Sequence, residues 1–124
     1  MFSHIYSTTI FVDDQDAAID FYVNTLGWEK TMDVQMGPEM RFVTVAPQGA
    51  TTQLVIGLPS WIGETSNSRK NTGISLITPD IDATYATLVE RGVTFKEPVS
   101  MMPWGAKATW FYDLEGNEFF LAEG

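Results

Sequence analysis

FVDDQDAAIDFYVNTLGW, Phe11 to Trp28, reads as the end of a strand, a capped helix, a glycine stop and the start of another strand. Asp13, Asp14 and Asp16 supply carboxylates at an N-cap and first helical turn, where they accept from free backbone N–H groups and suit the positive end of the helix dipole. Ile19, Tyr22, Val23 and Leu26 follow at i, i+3, i+4 and i+7, a single apolar stripe. Gly27 falls where a left-handed C-cap is expected. A weaker copy, ITPDIDATYATLVERGVTF, runs from Ile77 to Phe95. Laid over the first, Asp14 meets Asp80, Asp16 meets Asp82 and Ala17 meets Ala83; a one-residue slip then brings Gly27 onto Gly92. The repeat predicts a fold built by internal duplication.

Outward from the first copy, His4 to Val12 is β-branched and aromatic and reads as a strand. Alternation puts Tyr6, Thr8, Ile10 and Val12 on one face and Ser7, Thr9 and Phe11 on the other. Three short strands are expected at Trp28–Gln35, Met40–Ala46 and Gln53–Leu58, separated by Gly37-Pro38 and Pro47-Gln48-Gly49. Pro59 to Thr72 has no clean period and reads as a linker and mobile loop. The second copy supplies a strand at Gly73–Thr78 and a helix that starts over Pro79-Asp80-Ile81-Asp82, with Ile81, Tyr85, Leu88 and Val89 on its buried face and Gly92 ending it. Strands at Val93–Glu97, Lys107–Asp113 and Glu118–Ala122 complete it. Asp113-Leu114-Glu115-Gly116-Asn117 is a hairpin turn in which Gly116 or Asn117 takes φ > 0. The pattern is βαβββ twice, an α+β fold. We expect one domain over residues 1–124, with module one at about 1–58, a linker at 59–72 and module two at 73–124.

Composition narrows the function. The chain has 124 residues, 44% of them hydrophobic, and no run approaches the roughly 20 apolar residues that span a bilayer, so no membrane partner is expected. No signal-peptide pattern is read at the N-terminus, and a cytoplasmic location is expected. With no cysteine there is no thiol nucleophile, disulfide or thiolate zinc site. Sixteen acidic residues against seven basic ones give a net charge of −9, which repels phosphate backbones and argues against nucleic acid. The same charge attracts cations, although it also serves solubility.

Three motifs carry a resemblance. V-x-D-x-x-x-A-I-x-F-Y-x-x-x-L-G-W at Val12–Trp28, R-F-x-T-V-A-P at Arg41–Pro47 and W-F-Y-D-L-E-G-N at Trp110–Asn117 resemble the vicinal oxygen chelate superfamily. That superfamily includes glyoxalase I, extradiol dioxygenases and bleomycin and fosfomycin resistance proteins. The last motif is similar to the family's aromatic-x-D-P-x-G-N turn, with Leu114 in place of proline. The resemblance implies two βαβββ modules whose strands form a cupped mixed sheet around a central pocket, with helices on the outer face. It also implies a homodimer, since members commonly pair.

Metal-dependent members hold a divalent ion with His or Gln and Glu side chains on four strands, leaving open positions for substrate oxygens. Carried onto this chain, those positions are Ser7, Gly57, Gly73 and Phe120. Serine, two glycines and phenylalanine cannot form that site, so no metal or other cofactor is expected. Glu118, Gln53 and His4, the single histidine, are the residues a misaligned ligand set would use. No nucleophile–base pair or pair of pocket carboxylates is evident for metal-free catalysis.

With Ser7 and Thr9 on the inner face, alternation and the family geometry place Arg41, Val43, Val45, Gln53, Val55, Gly57, Ser75, Ile77 and Phe120 beside them. Glycine and phenylalanine at former ligand positions make an apolar cup suited to a flat or aliphatic compound. Trp28 is expected in the core and Trp110 in the core or an interface. Trp61 lies in the polar linker, and Trp104 lies in Met101-Met102-Pro103-Trp104-Gly105, beside two adaptable methionines. Such loop residues suit a tolerant binding surface, or cover a dimer interface or their own loops. Arg41 and Lys107 are candidates to orient an anionic group, or are strand-face cations. The expected ligand-binding set is therefore Ser7, Thr9, Arg41, Gln53, Trp61, Ser75, Trp104 and Phe120. The expected function is metal-free binding of a small hydrophobic or cationic compound, by resemblance to the antibiotic-sequestering members. The rivals are a metal-dependent lyase or dioxygenase with a non-standard ligand set, and a module whose cup is packed shut.

Overall fold

The chain in the computed structural model, which describes residues 1–124, resolves into two compact units, residues 1–69 and 70–124. In the first, β1 (Ser7–Phe11) leads into α1 (Gln15–Asp20), followed by β2 (Glu29–Gln35), β3 (Arg41–Ala46) and β4 (Gln53–Gly57). The sheet order is β1-β4-β3-β2, with β1 parallel to β4 and the other pairs antiparallel. In the second, β5 (Asn71–Thr78) and α2 (Ile81–Glu90) precede β6 (Thr94–Phe95), β7 (Ser100–Met101), β8 (Lys107–Tyr112) and β9 (Glu118–Glu123). This sheet runs β5-β9-β8-β6, with β7 also paired to β8 and β5 parallel to β9. The expected α+β architecture of repeated βαβββ units is present.

Equivalent residues open the two helices. Asp14 Oδ1 accepts from the Ala17 N–H at 3.0 Å and Asp80 Oδ1 from the Ala83 N–H at 3.1 Å, each satisfying a donor that the helix itself leaves bare. After Asp20, the first helix widens into a π-helical turn, Phe21–Thr25, where the Leu26 N–H donates to the Phe21 carbonyl. The extra residue in that turn breaks the 3.6 period. Ala18 and Tyr22 are the buried positions, Tyr22 packing on Trp28 at 5.5 Å, while Ile19, Val23 and Leu26 are half-buried. In α2, Ile81 and Leu88 are buried as expected, but Val89 is 48% exposed, because it stands one residue past the inward position of the last turn.

Strand boundaries differ in three places. β5 starts at Asn71, with a bulge before Ile74 that takes in Gly73. The expected strand at Val93–Glu97 contracts to Thr94–Phe95, and a second short strand, Ser100–Met101, lies in what read as a loop. Both pair with β8, so they are the two halves of one edge strand interrupted around Pro98, which cannot donate to the ladder. At the hairpin between β8 and β9, Gly116 takes the positive φ (86°) and Asn117 does not. Asn117 is instead buried, and its side-chain amide donates to Asp113 Oδ2 at 2.8 Å.

In each unit most of the large core side chains lie on one face of the sheet, while Val55 in the first and Ala108 and Ala122 in the second are buried on the other. Ile10, Val43, Val45, Leu54 and Ile56 are buried in the first; Phe111, Phe119 and Leu121 are buried in the second, where Phe111 and Phe119 stack at 5.4 Å. Gln15 ties α1 to its sheet, its Nε2 donating to the carbonyls of Arg41 (3.0 Å) and Ile56 (2.9 Å).

Candidate functional site: two aromatic-bearing sheet faces

In the first unit, the parallel register sets Ser7 beside Gln53, Thr9 beside Val55 and Phe11 beside Gly57. These residues share the face opposite the core, as expected. The β3–β4 register then pairs Thr44 with Val55, and the β2–β3 register pairs Met32 with Thr44 and Val34 with Phe42. Thr44 and Phe42 therefore belong to that face, and Arg41, Val43 and Val45 point to the other. The expected alternation is off by one residue on β3. Every residue of that strand is at least half-buried, so its burial pattern carries no parity.

Arg41, on that other face, is held by two protein carboxylates. Its Nε and Nη2 donate to the two Asp33 oxygens, each at 2.8 Å, and Nη1 donates to Asp16 Oδ1 at 2.6 Å. This bidentate clamp, with Lys30 at 3.0 Å, holds the Asp33 carboxyl well below the usual carboxylate range. The same hydrogen bonds to Asp33 and Asp16 hold the Arg41 guanidinium above its ordinary range. Lys107 behaves in parallel: its Nζ donates to Asp82 Oδ2 at 2.7 Å, a bond that raises its pKa.

Trp61 sits on the shared face of the first unit. It belongs to a 3₁₀ turn, Pro59–Ile62, whose Trp61 N–H donates to the Leu58 carbonyl. Its indole lies over Gly57, so close that a Cβ there would stand 2.9 Å from Trp61 Cε3 and 3.2 Å from Thr9 Cγ2. It also stacks on Phe42 with planes 7° apart and centroids at 6.4 Å. Trp61 Nε1 is buried without a hydrogen-bond partner. Gln53, on the same face at the start of β4, is engaged by protein: Thr31 Oγ1 hydrogen-bonds to Gln53 Oε1 and meets Thr44 Oγ1 at 2.7 Å. A surface depression of about 310 Å³ over Gly63, Glu64, Thr65, Ser66 and Ser68 holds no aromatic group, and its Glu64 is taken by Ser68 and Arg69.

In the second unit, the registers place Ser75 beside Phe120 and Phe120 beside Trp110, on the face opposite Phe111 and Phe119. Phe120 and Trp110 are half-buried, with centroids 5.1 Å apart and planes tilted 56°. Trp104 lies at the tip of the β7–β8 hairpin, where Gly105 N–H donates to the Met102 carbonyl. It is 64% exposed and its ring approaches Phe120 at 6.2 Å. The expected trio Ser75, Trp104 and Phe120 is thus assembled on one face, joined by Trp110, which the sequence reading assigned to core or interface. Trp110 could have been found by counting back equally from the Asp113–Asn117 turn, which brings it opposite Phe120.

A metal does not fit the family's ligand positions. Ser7 is a hydroxyl on the strand face, Gly57 is roofed by indole, Gly73 lies in the β5 bulge and Phe120 is part of the aromatic cluster. The substitute ligands are dispersed. Gln53 is bound to Thr31, Glu118 faces Lys96 at 3.5 Å, and His4 bonds Ser3 at the exposed N-terminus. No three His, Asp or Glu side chains converge.

The fold has close relatives. The profile of the Glyoxalase/Bleomycin resistance protein/Dioxygenase superfamily matches residues 4–121. A member of that superfamily from Sphaerobacter thermophilus DSM 20745 is 58% identical, with a TM-score of 0.95 over 99% of this chain and 98% of that one. TnmS3, an antibiotic binding protein from Streptomyces sp. CB03234, is 37% identical, with a TM-score of 0.85 over 98% and 96%. The Bacillus subtilis (strain 168) protein YetH is 35% identical over 123 residues, 99% of this chain and all of that one. By its profile match and these relatives, the chain belongs to the Glyoxalase/Bleomycin resistance protein/Dioxygenase superfamily.

Proposed function

We propose that this protein binds flat aromatic small molecules without a metal, in the manner of an antibiotic-binding protein. The observation that carries the reading is the Phe120 cluster. Where metal-dependent members place a carboxylate on the last strand, this chain places a phenyl ring flanked by Trp110 and Trp104. Rings tilted and within about 7 Å of one another present mixed faces and edges that complement a planar guest. Trp104, largely exposed at a hairpin tip, has area to lose to a ligand and little packing of its own to lose. The 37% identity to an antibiotic binding protein supports the same reading.

Acridone, a neutral planar aromatic, serves as a probe in calorimetric titration of chelator-treated protein. The expected dissociation constant is about micromolar, roughly −8 kcal/mol. Affinity no tighter than about millimolar, roughly −4 kcal/mol, contradicts the reading. Trp104→Ala should weaken acridone by about tenfold, in line with the loss of one stacked ring, while melting within about 2 °C of the parent. Full affinity in that variant would remove the cluster from the site.

A further inference from the structure

Lys96 is the feature of the second unit that binding a neutral guest leaves unused. It lies between β6 and β7, where the edge strand is interrupted, and its side chain is 52% exposed. Its ammonium stands over the Trp110 ring, 5.6 Å from the centroid, and 3.5 Å from Glu118 Oε1. Glu118 lies on the same face as Phe120 and Trp110, two residues along β9, and its side chain is only 17% exposed. The face therefore already holds one cation between an indole and a carboxylate, the pairing by which aromatic cages take ammonium groups.

Resting on the proposed binding function, we infer that the ligand class is a planar aromatic cation, and that Lys96 is the internal occupant it displaces from Trp110 and Glu118. Lys96 is suited to leave. A half-exposed lysine in a surface ion pair gains little from it, because it gives up side-chain freedom to stay. Once the lysine swings into water, its positive charge is solvated and the half-buried Glu118 carboxylate is left to the guest. A guest cation brings aromatic area for Trp104 and Phe120 as well as charge for Trp110 and Glu118, and Lys96 offers only the charge. The net charge of −9 acts in the same direction at long range.

The test pairs 9-aminoacridine, cationic at neutral pH, with neutral acridone of the same ring framework, titrated calorimetrically at low salt. We expect the cation to bind about tenfold more tightly than acridone. Lys96→Met, which removes the competitor for both Trp110 and Glu118, should raise the affinity for 9-aminoacridine about three- to tenfold and widen its preference over acridone. Glu118→Gln should lower the ratio of the two affinities toward one. Equal affinities for the two probes in the parent, or a Lys96→Met variant that binds the cation no better, overturns the inference and leaves the binding function standing. Failure of both probes to bind overturns the binding function, and this inference with it.

Discussion

Arg41 reaches back 25 residues to Asp16, Nη1 to Oδ1 at 2.6 Å, and Lys107 reaches back 25 residues to Asp82, Nζ to Oδ2 at 2.7 Å. Asp16 and Asp82 are equivalent in the two sequence copies. In each unit a strand cation thus pins the first turn of the helix, where a carboxylate also suits the helix dipole. Both cations are held in these helix-pinning ion pairs.

Arg41→Ala should cost about 1–2 kcal/mol, most of it from the bidentate arm to Asp33, since the Asp16 side chain is 84% exposed and its arm is screened by solvent. Denaturant midpoints measure this; an unchanged midpoint would show the clamp to be ornamental.

Asp33→Asn should show a stability deficit that depends on pH. The folded state holds this carboxyl below its unfolded value of about 3.9, so at acid pH the unfolded chain binds the extra proton. The contribution is whole above about pH 5 and fades as pH falls below about 4. The gap between thermal melts of parent and variant should be constant above about pH 5 and narrow progressively as the pH falls below about 4; a gap that does not narrow under acid contradicts the assignment.

Gly57→Ala should lift the Trp61 ring, because the new methyl would stand 2.9 Å from Cε3 and 3.0 Å from Cζ3 while the 3₁₀ turn holds the Trp61 backbone. A loss of about 1–3 kcal/mol and a red shift of tryptophan emission are expected. Unaltered emission with unaltered stability would mean that the indole does not rest on Gly57.

Asn117→Ala should cost about 2–3 kcal/mol, because it deletes a fully buried amide bonded to the buried Asp113 carboxyl in the turn that sets the β8–β9 register. The same carboxyl also accepts from the backbone N–H groups of Glu115 and Asn117, each at 2.9 Å. Urea denaturation reads the cost, and a loss below about 0.5 kcal/mol would place the register elsewhere.

The helices were legible because their signals are local. Asp14, within the acidic stretch read as the start of α1, and Asp80, aligned with it in the second copy, are the caps, and Gly27 and Gly92 take φ of 77° and 87° just past the helical turns. The π-helical turn was not legible, since Ile19, Tyr22, Val23 and Leu26 fit a regular α stripe equally well. The common strand face of Ser7, Thr9 and Gln53 was legible because β1 alternates cleanly and pairs in parallel with β4. Arg41 was misplaced because a strand covered on both faces has no polar–apolar alternation to fix its parity. Phe42, the stacking partner of Trp61, was missed for the same reason. Trp104 was visible as an aromatic residue without a core to join, whereas Trp110 sat in an apolar run that looked like core.

Metal-free binding of a planar aromatic is the proposed function of this fold's aromatic cluster. Native mass spectrometry of chelator-treated protein mixed with acridone tests it most directly. One acridone per chain with no metal mass, retained through desalting and reduced in occupancy in Trp104→Ala, is the expected result. A metal ion that survives the chelator at one per chain, or an acridone adduct that forms only after a divalent ion is added, would contradict it.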